Sequence, residues 1–407
     1  MPGQKRMTLK ERNKHLENMQ AAYRQASRKE KGLLLSHLEQ VTGLGRKRLI
    51  DKLSHDLTAR VRTRQRGKEY GPEVDDALRV IAESLDYITA ERLTPGLVET
   101  AEALIFHGEL QASAATLTQL GEISIATVGR ILRRIQQDKP HLPRSGPKEA
   151  NRARENIPTR RIPWNESEPG HLEADLVHHS GPSTRGDYVH PIQFVDVATG
   201  WSERVAVLGR SYLVMEDGFR RIAQRMPFPA REIHPDNGSE FFNHHMLRFW
   251  PECFAGVTLS RSRPWIKNDN RFVEQKNSTL VRRYLGNLRL DTVPQTRALN
   301  LLYDMMWTYY NFFQPVMRLQ QKEVFVSGDE PKRVRRRFDT AQTPFERLCA
   351  TEVLSAQEQQ EWRQWRHSIN PRQLRRDIYH QIDVLFSLPG LAPGAVENVR
   401  DSLTITV

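Results

Sequence analysis

The chain has 407 residues, 38% hydrophobic and 27% charged, with 61 Lys and Arg against 49 Asp and Glu for a formal charge of +12. That length exceeds what one core usually serves, so two to four domains are expected. The longest apolar stretch, 301–313, is broken by Asp304 and Asn311, which excludes a membrane span, and the N-terminus lacks the apolar run of a secretory signal. Cys253 and Cys349 stand too far apart in sequence for a disulfide framework or a Cys-based zinc site, so a reducing cytoplasm is the expected location.

The charge is concentrated. Residues 1–70 hold eighteen Lys and Arg against seven Asp and Glu, a surplus of eleven, while the remainder is nearly balanced. A basic segment of this density suits a polyanion. It also carries helical periodicity: Leu33, Leu34, Leu38 and Val41 form one stripe, and a short turn with Gly43 and Gly45 follows. A second helix then opens on Arg46, Lys47 and Arg48, with Leu49, Ile50 and Leu53 on one face. This is the helix-turn-helix layout, in which the second helix presents its first residues to DNA. A second unit spans 70–138. Val74, Leu78, Ile81 and Leu85 repeat at helical spacing, and a short break at 121–124 precedes a helix with Ser124 as its N-cap. Thr127 and Arg130 are assigned to its exposed, DNA-facing side. Residues 139–165 are rich in Pro, Gly, Arg and Ser and read as a linker.

From residue 171 the texture turns α/β. Strands are expected at 172–178, 189–197, 204–208, 232–234 and 257–259. Phe219, Ile222, Ala223 and Met226 mark an amphipathic helix, and another helix starts near Arg271. Three carboxylates stand out. Asp175 lies in the first strand, Asp236 just after a later strand and Glu274 in the first turns of the late helix, separated by 61 and 38 residues. Two strand acids and one helix acid can converge at one end of a sheet and hold two divalent cations for phosphodiester chemistry. Mg²⁺ fits oxygen ligands of this kind, with Mn²⁺ an acceptable substitute. Arg263, Lys267, Lys276 and Arg283 surround the third acid and are assigned to DNA. Asn270 and Asn277 are read as further phosphate or base contacts.

Several motifs in order resemble bacterial insertion-sequence transposases with a retroviral-integrase-type catalytic core. Asp236-Asn237-Gly238-Ser239-Glu240-Phe241 is similar to the second acidic motif of that family. Lys267-Asn268-Asp269-Asn270-Arg271-Phe272-Val273-Glu274 is similar to the third, and Gly170-His171-Leu172-Glu173-Ala174-Asp175 to the first. The hairpin segment 196–203 and Thr343-Pro344-Phe345-Glu346-Arg347-Leu348 match as well. The resemblance covers roughly residues 165–345. It implies a ribonuclease H-like fold and an Asp-Asp-Glu triad carried by Asp175, Asp236 and Glu274, both as catalytic residues and as metal ligands. Glu173, Asp196 and Glu240 rank below these three.

The expected organisation is multidomain. N-terminal all-α helix-turn-helix units (1–69, 70–138) and a linker (139–165) precede a central α/β ribonuclease H-like core (166–325). A basic linker and helical C-terminal region (326–407) follow. Within it 331–337 reads as flexible and DNA-associated, and Trp362 and Trp365 have no assigned role. The core is expected to fold without residues 1–140. The expected activity is Mg²⁺-dependent 3′-end cleavage and strand transfer by a homo-oligomer, dimeric or higher, on the element's terminal inverted repeats and target DNA. The protein would be nucleoid-associated when bound, with no membrane partner. The alternatives are a helix-turn-helix regulator with an inactive core and a non-integrating nuclease.

Overall fold

The computed structural model describes residues 7, 9–55, 70–135, 162–163, 165–236, 238, 240–242, 244–263, 269–325, 333–392 and 394–403. The chain divides into two compact units, 1–69 and 70–407. Among its described residues the first has three helices: α1 (Leu9–Gln25), α2 (Arg28–Thr42) and α3 (Arg46–Ser54). Ser27 and Glu30 form a reciprocal capping box at the start of α2. Gly43, at φ 66°, ends it in a left-handed conformation that a side chain would disfavour. The small core is Leu16, Tyr23, Leu35, Leu38, Leu49 and Leu53. The expected stripe is therefore rotated: Leu35 is buried, whereas Leu33, Val41 and Ile50 are exposed.

The second unit opens with α4 (Pro72–Ser84), α5 (Ala90–Leu93), α6 (Leu97–Phe106), α7 (Ala114–Glu122) and α8 (Ile125–Ile135). Val74, Leu78, Ile81 and Leu85 are buried, and the Ser124 hydroxyl accepts the Thr127 N–H at 3.3 Å as its capping role requires. The sheet strands are β1 (His171–Leu176), β2 (Val189–Asp196), β3 (Ser202–Leu208), β4 (Glu232–Pro235) and β5 (Thr258–Leu259). Helix α9 (Tyr212–Arg225) joins β3 to β4, and α10 (His244–Cys253) joins β4 to β5. The order is β3-β2-β1-β4-β5, with β2 antiparallel to both neighbours and β1, β4 and β5 parallel. This mixed five-stranded sheet is consistent with a ribonuclease H-like core.

One sheet face is apolar. Leu172, Ala174, Ile192, Phe194, Val205 and Val207 are buried, and α9 packs against this face with Phe219 and Ile222. The approach is close: a Cβ on Gly218 would lie 2.4 Å from Ile192 Cδ1 and 2.9 Å from Val207 Cγ1.

Beyond β5 come α11 (Arg271–Lys276), a π-helical stretch (Asn277–Arg282), α12 (Arg283–Leu285) and α13 (Val293–Thr308), which ends in a second π-helical stretch (Tyr309–Phe313). The outer edge of β3 is covered from α13 and its extension. Asn300 bonds the Ala206 N–H and C=O, and Asn311 those of Ser202, so these edge groups are not left to solvent or another strand. An antiparallel hairpin, β6 (Leu319–Phe325) and β7 (Arg333–Phe338), follows. The described part of the basic run 331–337 is thus a strand. The chain closes with α14 (Pro344–Cys349), α15 (Ala356–Ser368) and α16 (Pro371–Ser387). Trp362 has a clear place here: its ring lies 5.7 Å from Trp201, 5.5 Å from Phe312 and 6.0 Å from Phe345.

Residues 70–135 share one continuous apolar core with the sheet and the C-terminal helices. A polar node reinforces it. Asp86, buried at the end of α4, accepts from Tyr284 Oη, from Tyr379 Oη at 2.7 Å and from Arg375 Nη2 at 3.0 Å. Packing continues across the sequence-level boundary near 138–140, because apolar faces of α4–α8 and of the core cover each other.

Candidate active site

Glu173 and Asp175 are two residues apart on β1, so their side chains leave the same sheet face, the one opposite α9. On that face a polar row crosses three strands: Asp175 is registered with Gln193, and Gln193 with Arg204. Gln193 and Arg204 are both buried. On the other side β1 runs parallel to β4, where Ala174 is registered with Pro235. The next residues are Asp175, on β1, and Asp236, just past the end of β4. Neighbouring strands lie about 4.8 Å apart, so these two acids stand side by side at the carboxyl ends of adjacent parallel strands. That end is where open α/β sheets bind ligands.

Glu173 brings the third acid near. Its Oε2 accepts the N–H of Phe272 at 2.6 Å and of Val273 at 3.0 Å, two donors that the first turn of α11 cannot satisfy internally. Glu274 is the next residue and is exposed. Asn277 follows three residues later, on the same side of the helix, and its Nδ2 donates to Asp175 Oδ2 at 2.6 Å. The strand acid and the helix acid are thus tied through two bridges of sequence separation about one hundred residues. Glu173 is completely buried, and burial pushes its carboxyl up to about 8 against the two N–H bonds and Arg318, which favour its charge. Ranked below the triad on sequence, Glu173 has an anchoring role that the sequence reading does not include. The only sequence signal was a Glu two residues before Asp175 on the same strand face.

The neighbouring acids have other work. Asp196 accepts from Gly170 N–H at 2.8 Å, Thr199 N–H at 2.7 Å and Thr199 Oγ1 at 2.6 Å, which fixes the turn after β2. Asp269 is held well below the usual carboxylate range by Arg263, whose Nε and Nη2 each donate at 2.8 Å. Arg263 is therefore engaged by Asp269. Asn277, read from sequence as a nucleic-acid contact, instead positions Asp175.

Lys276 lies half-buried, and burial followed by the charges of Arg92, Arg204 and Arg318 pushes its ammonium down to about 7. It does not track an outer face with Arg283, because the π-helical stretch changes the helix phase between them. Arg283 is exposed, 3.9 Å from Asp86. Lys267 lies outside the described residues, as does most of the 139–165 linker. In the first unit Lys47 and Arg48 are exposed at the start of α3. Arg46 is also exposed but binds Gly32 O at 3.1 Å, Ser36 Oγ at 3.1 Å and Glu39 at 3.4 Å, clipping α3 to α2. In α8 the exposed Arg130 donates to Thr127 Oγ1 at 2.9 Å.

The donor set of Asp175, Asp236 and Glu274 is all carboxylate oxygen, the chemistry a hard divalent cation takes. Among the described residues no group of three His, Cys, Asp or Glu side chains is gathered closely enough to form a ligand cage. Asp175 is turned toward Asn277 and its Oδ1 accepts the Leu176 N–H at 2.8 Å. The residue types suit such an ion, and in this arrangement both Asp175 oxygens are taken up by Asn277 and the Leu176 N–H.

No family model matches the chain. It is 34% identical over 322 residues to a curated protein of Sinorhizobium fredii (strain NBRC 101917 / NGR234), "Uncharacterized protein y4rM", covering 78% of this chain and 91% of that one. This chain belongs to the same family as that Sinorhizobium protein. Among solved structures, the catalytic core domain of BIV integrase aligns with 15% identity and a TM-score of 0.26, over 36% of this chain and 85% of that one. The fold class rests instead on strand order and direction. No described helix is long and apolar enough to cross a membrane.

Proposed function

We propose that the protein is a DNA transposase that cleaves the 3′ ends of its element and joins them to target DNA. The observation that supports this reading is the registration of Ala174 with Pro235, each followed by an acid, Asp175 and Asp236, on the parallel strands nearest the helix that bears Glu274. These three residues would hold Mg²⁺, which supplies charge stabilisation to the attacking and leaving oxygens of a phosphodiester. Glu173 seats α11 on β1, and Asn277 orients Asp175. Lys47 and Arg48 at the start of α3 supply phosphate contacts, and the α7–α8 pair adds a second DNA-facing surface through Thr127 and Arg130. A homo-oligomer on paired ends is part of the same reading.

The test is incubation of the purified protein with Mg²⁺ and labelled element ends. Both 3′ nicks and strand-transfer products are expected. End-specific binding without either product would make the protein a regulator with an inactive core. Cleavage without joining or end preference would make it a plain nuclease.

A further inference from the structure

The β6–β7 hairpin carries a charge pattern that does not serve its own stability. Lys322 and Arg336 are directly registered across the ladder, and both are exposed. Like charges in that position destabilise a strand pair. Arg335 faces Glu323, so the opposite side of the ribbon holds a complementary pair. Among the described residues neither Lys322 nor Arg336 has an acidic partner within ion-pair distance. Side chains alternate along a strand, so Val334 and Phe338 share the Arg336 face, and they are 41% and 46% exposed. Two cations with no acidic partner among the described residues, flanked by two exposed apolar side chains, form one strip.

The base of this ribbon is firmly held. Arg318 N–H donates to Asp339 Oδ1 at 2.6 Å, Asp339 N–H to Arg318 O at 2.9 Å and Arg347 Nη1 to Asp339 Oδ2 at 2.7 Å. Val316 and Gln342 pair just below. The Arg318 guanidinium sits 4.8 Å over the ring of Phe272, the residue whose N–H binds Glu173. The base of the ribbon therefore touches the first turn of the helix that carries Glu274.

We infer that the Lys322–Arg336 face of this hairpin is a docking surface for duplex DNA, seated in the major groove beside the acids. The inference rests on the DNA-processing function proposed above. A two-stranded ribbon fits the B-form major groove, where cations meet phosphates and apolar side chains meet thymine methyl groups. Phosphates supply the negative charge that the cross-strand pair lacks. An acidic protein would satisfy the cations but would show no preference for B-form geometry. An A-form RNA duplex offers a major groove too deep and narrow for such a ribbon.

The experiment is a salt titration of duplex binding with the full chain and a labelled DNA of arbitrary sequence. In the double variant Lys322→Gln/Arg336→Gln the slope of log K against log salt should fall by about two units, one for each phosphate contact. Its Tm should stay level or rise, because the repulsion across the ladder is gone. Arg336→Glu gives Lys322 an opposite charge across the strands and so preserves the hairpin, yet should weaken binding still further. An exchange of the two cations, Lys322→Arg with Arg336→Lys, should keep the wild-type slope. If wild-type protein binds duplex DNA and the double variant and Arg336→Glu keep its slope, the docking surface is wrong and the proposed function stands. An equal fall in slope on duplex RNA overturns the groove seating. If wild-type protein binds no duplex at all, this inference and the function it rests on fail together.

Discussion

The two faces of the five-stranded sheet are made by alternate residues of the same strands and have opposite characters. Toward α9 the strands present Leu172, Ala174, Ile192, Phe194, Val205 and Val207, buried against Phe219 and Ile222. Toward α11 and α13 they present Glu173, Asp175, Gln193 and Arg204. Period-two alternation lets one strand supply apolar burial on one side and polar groups on the other. Mutations should separate these contributions cleanly.

The largest separation should come from Asp175→Asn, Asp236→Asn and Glu274→Gln. Each is expected to lower cleavage and joining by roughly a thousandfold or more while leaving DNA affinity and Tm within error. Gel assays of both steps beside thermal melts would check this. Phe219→Ala on the apolar face should do the reverse. It should cost about 3–5 kcal/mol in a urea unfolding curve, with the surviving folded fraction as active per molecule as wild type. If Phe219→Ala instead changed the ratio of cleavage to joining, the faces would be coupled more tightly than the contacts indicate.

Glu173 sharpens the comparison, because it is buried like the apolar face yet stands on the polar one. Glu173→Ala removes the acceptor for Phe272 and Val273 N–H and should lower joining by about ten- to a hundredfold, the scale of losing a supporting shell. Glu173→Gln retains an oxygen acceptor and should lose less. Equal losses in the two variants would show that charge, not acceptance, is what α11 needs.

The smallest effect concerns His179, just past β1, which burial pushes down to about 4. Its ordinary value is about 6.5, so the unfolded chain binds the extra proton first as pH falls. Stability from the neutral buried ring is complete above about pH 7 and lost as pH drops toward 4. Between pH 7 and 5 this group alone should cost about 2 kcal/mol. His179→Asn should flatten that part of the pH–stability curve, read from urea midpoints at several pH values.

What the sequence made legible was local. The strands, the amphipathic α9, the Ser124 cap and the helical start near Arg271 follow from periodicity and capping chemistry within a few residues. The placement of Asp175 in a strand, Asp236 just after one and Glu274 in the first turns of a helix was readable for the same reason. Relationships across long separations were not. Glu173 reaches Phe272, Asn277 reaches Asp175, and Trp362 meets Trp201, and no local pattern encodes those partners. Burial of Lys276 also escaped notice, because a Lys beside exposed neighbours reads as a surface residue until α11 is docked. The basic run 331–337 read as flexible because charge density argues against packing, whereas its described part is held by a ladder to β6.

Asp86 and Tyr87 are consecutive non-glycine residues at φ 55° and 53°, and the backbone bends there while Asp86 holds side chains from α12 and α16. The bend costs about 1–3 kcal/mol for each residue and persists only where surrounding structure imposes it. This gives the two helical regions different evolutionary freedom. Residues 1–69 own a core that closes on itself, so recombination could exchange them for another small helical unit and leave the rest intact. Residues 70–135 depend on partners more than one hundred and ninety positions downstream. They are inherited with the sheet or lost with it, so exchanges of the N-terminal unit among relatives should have their crossovers between residues 55 and 70.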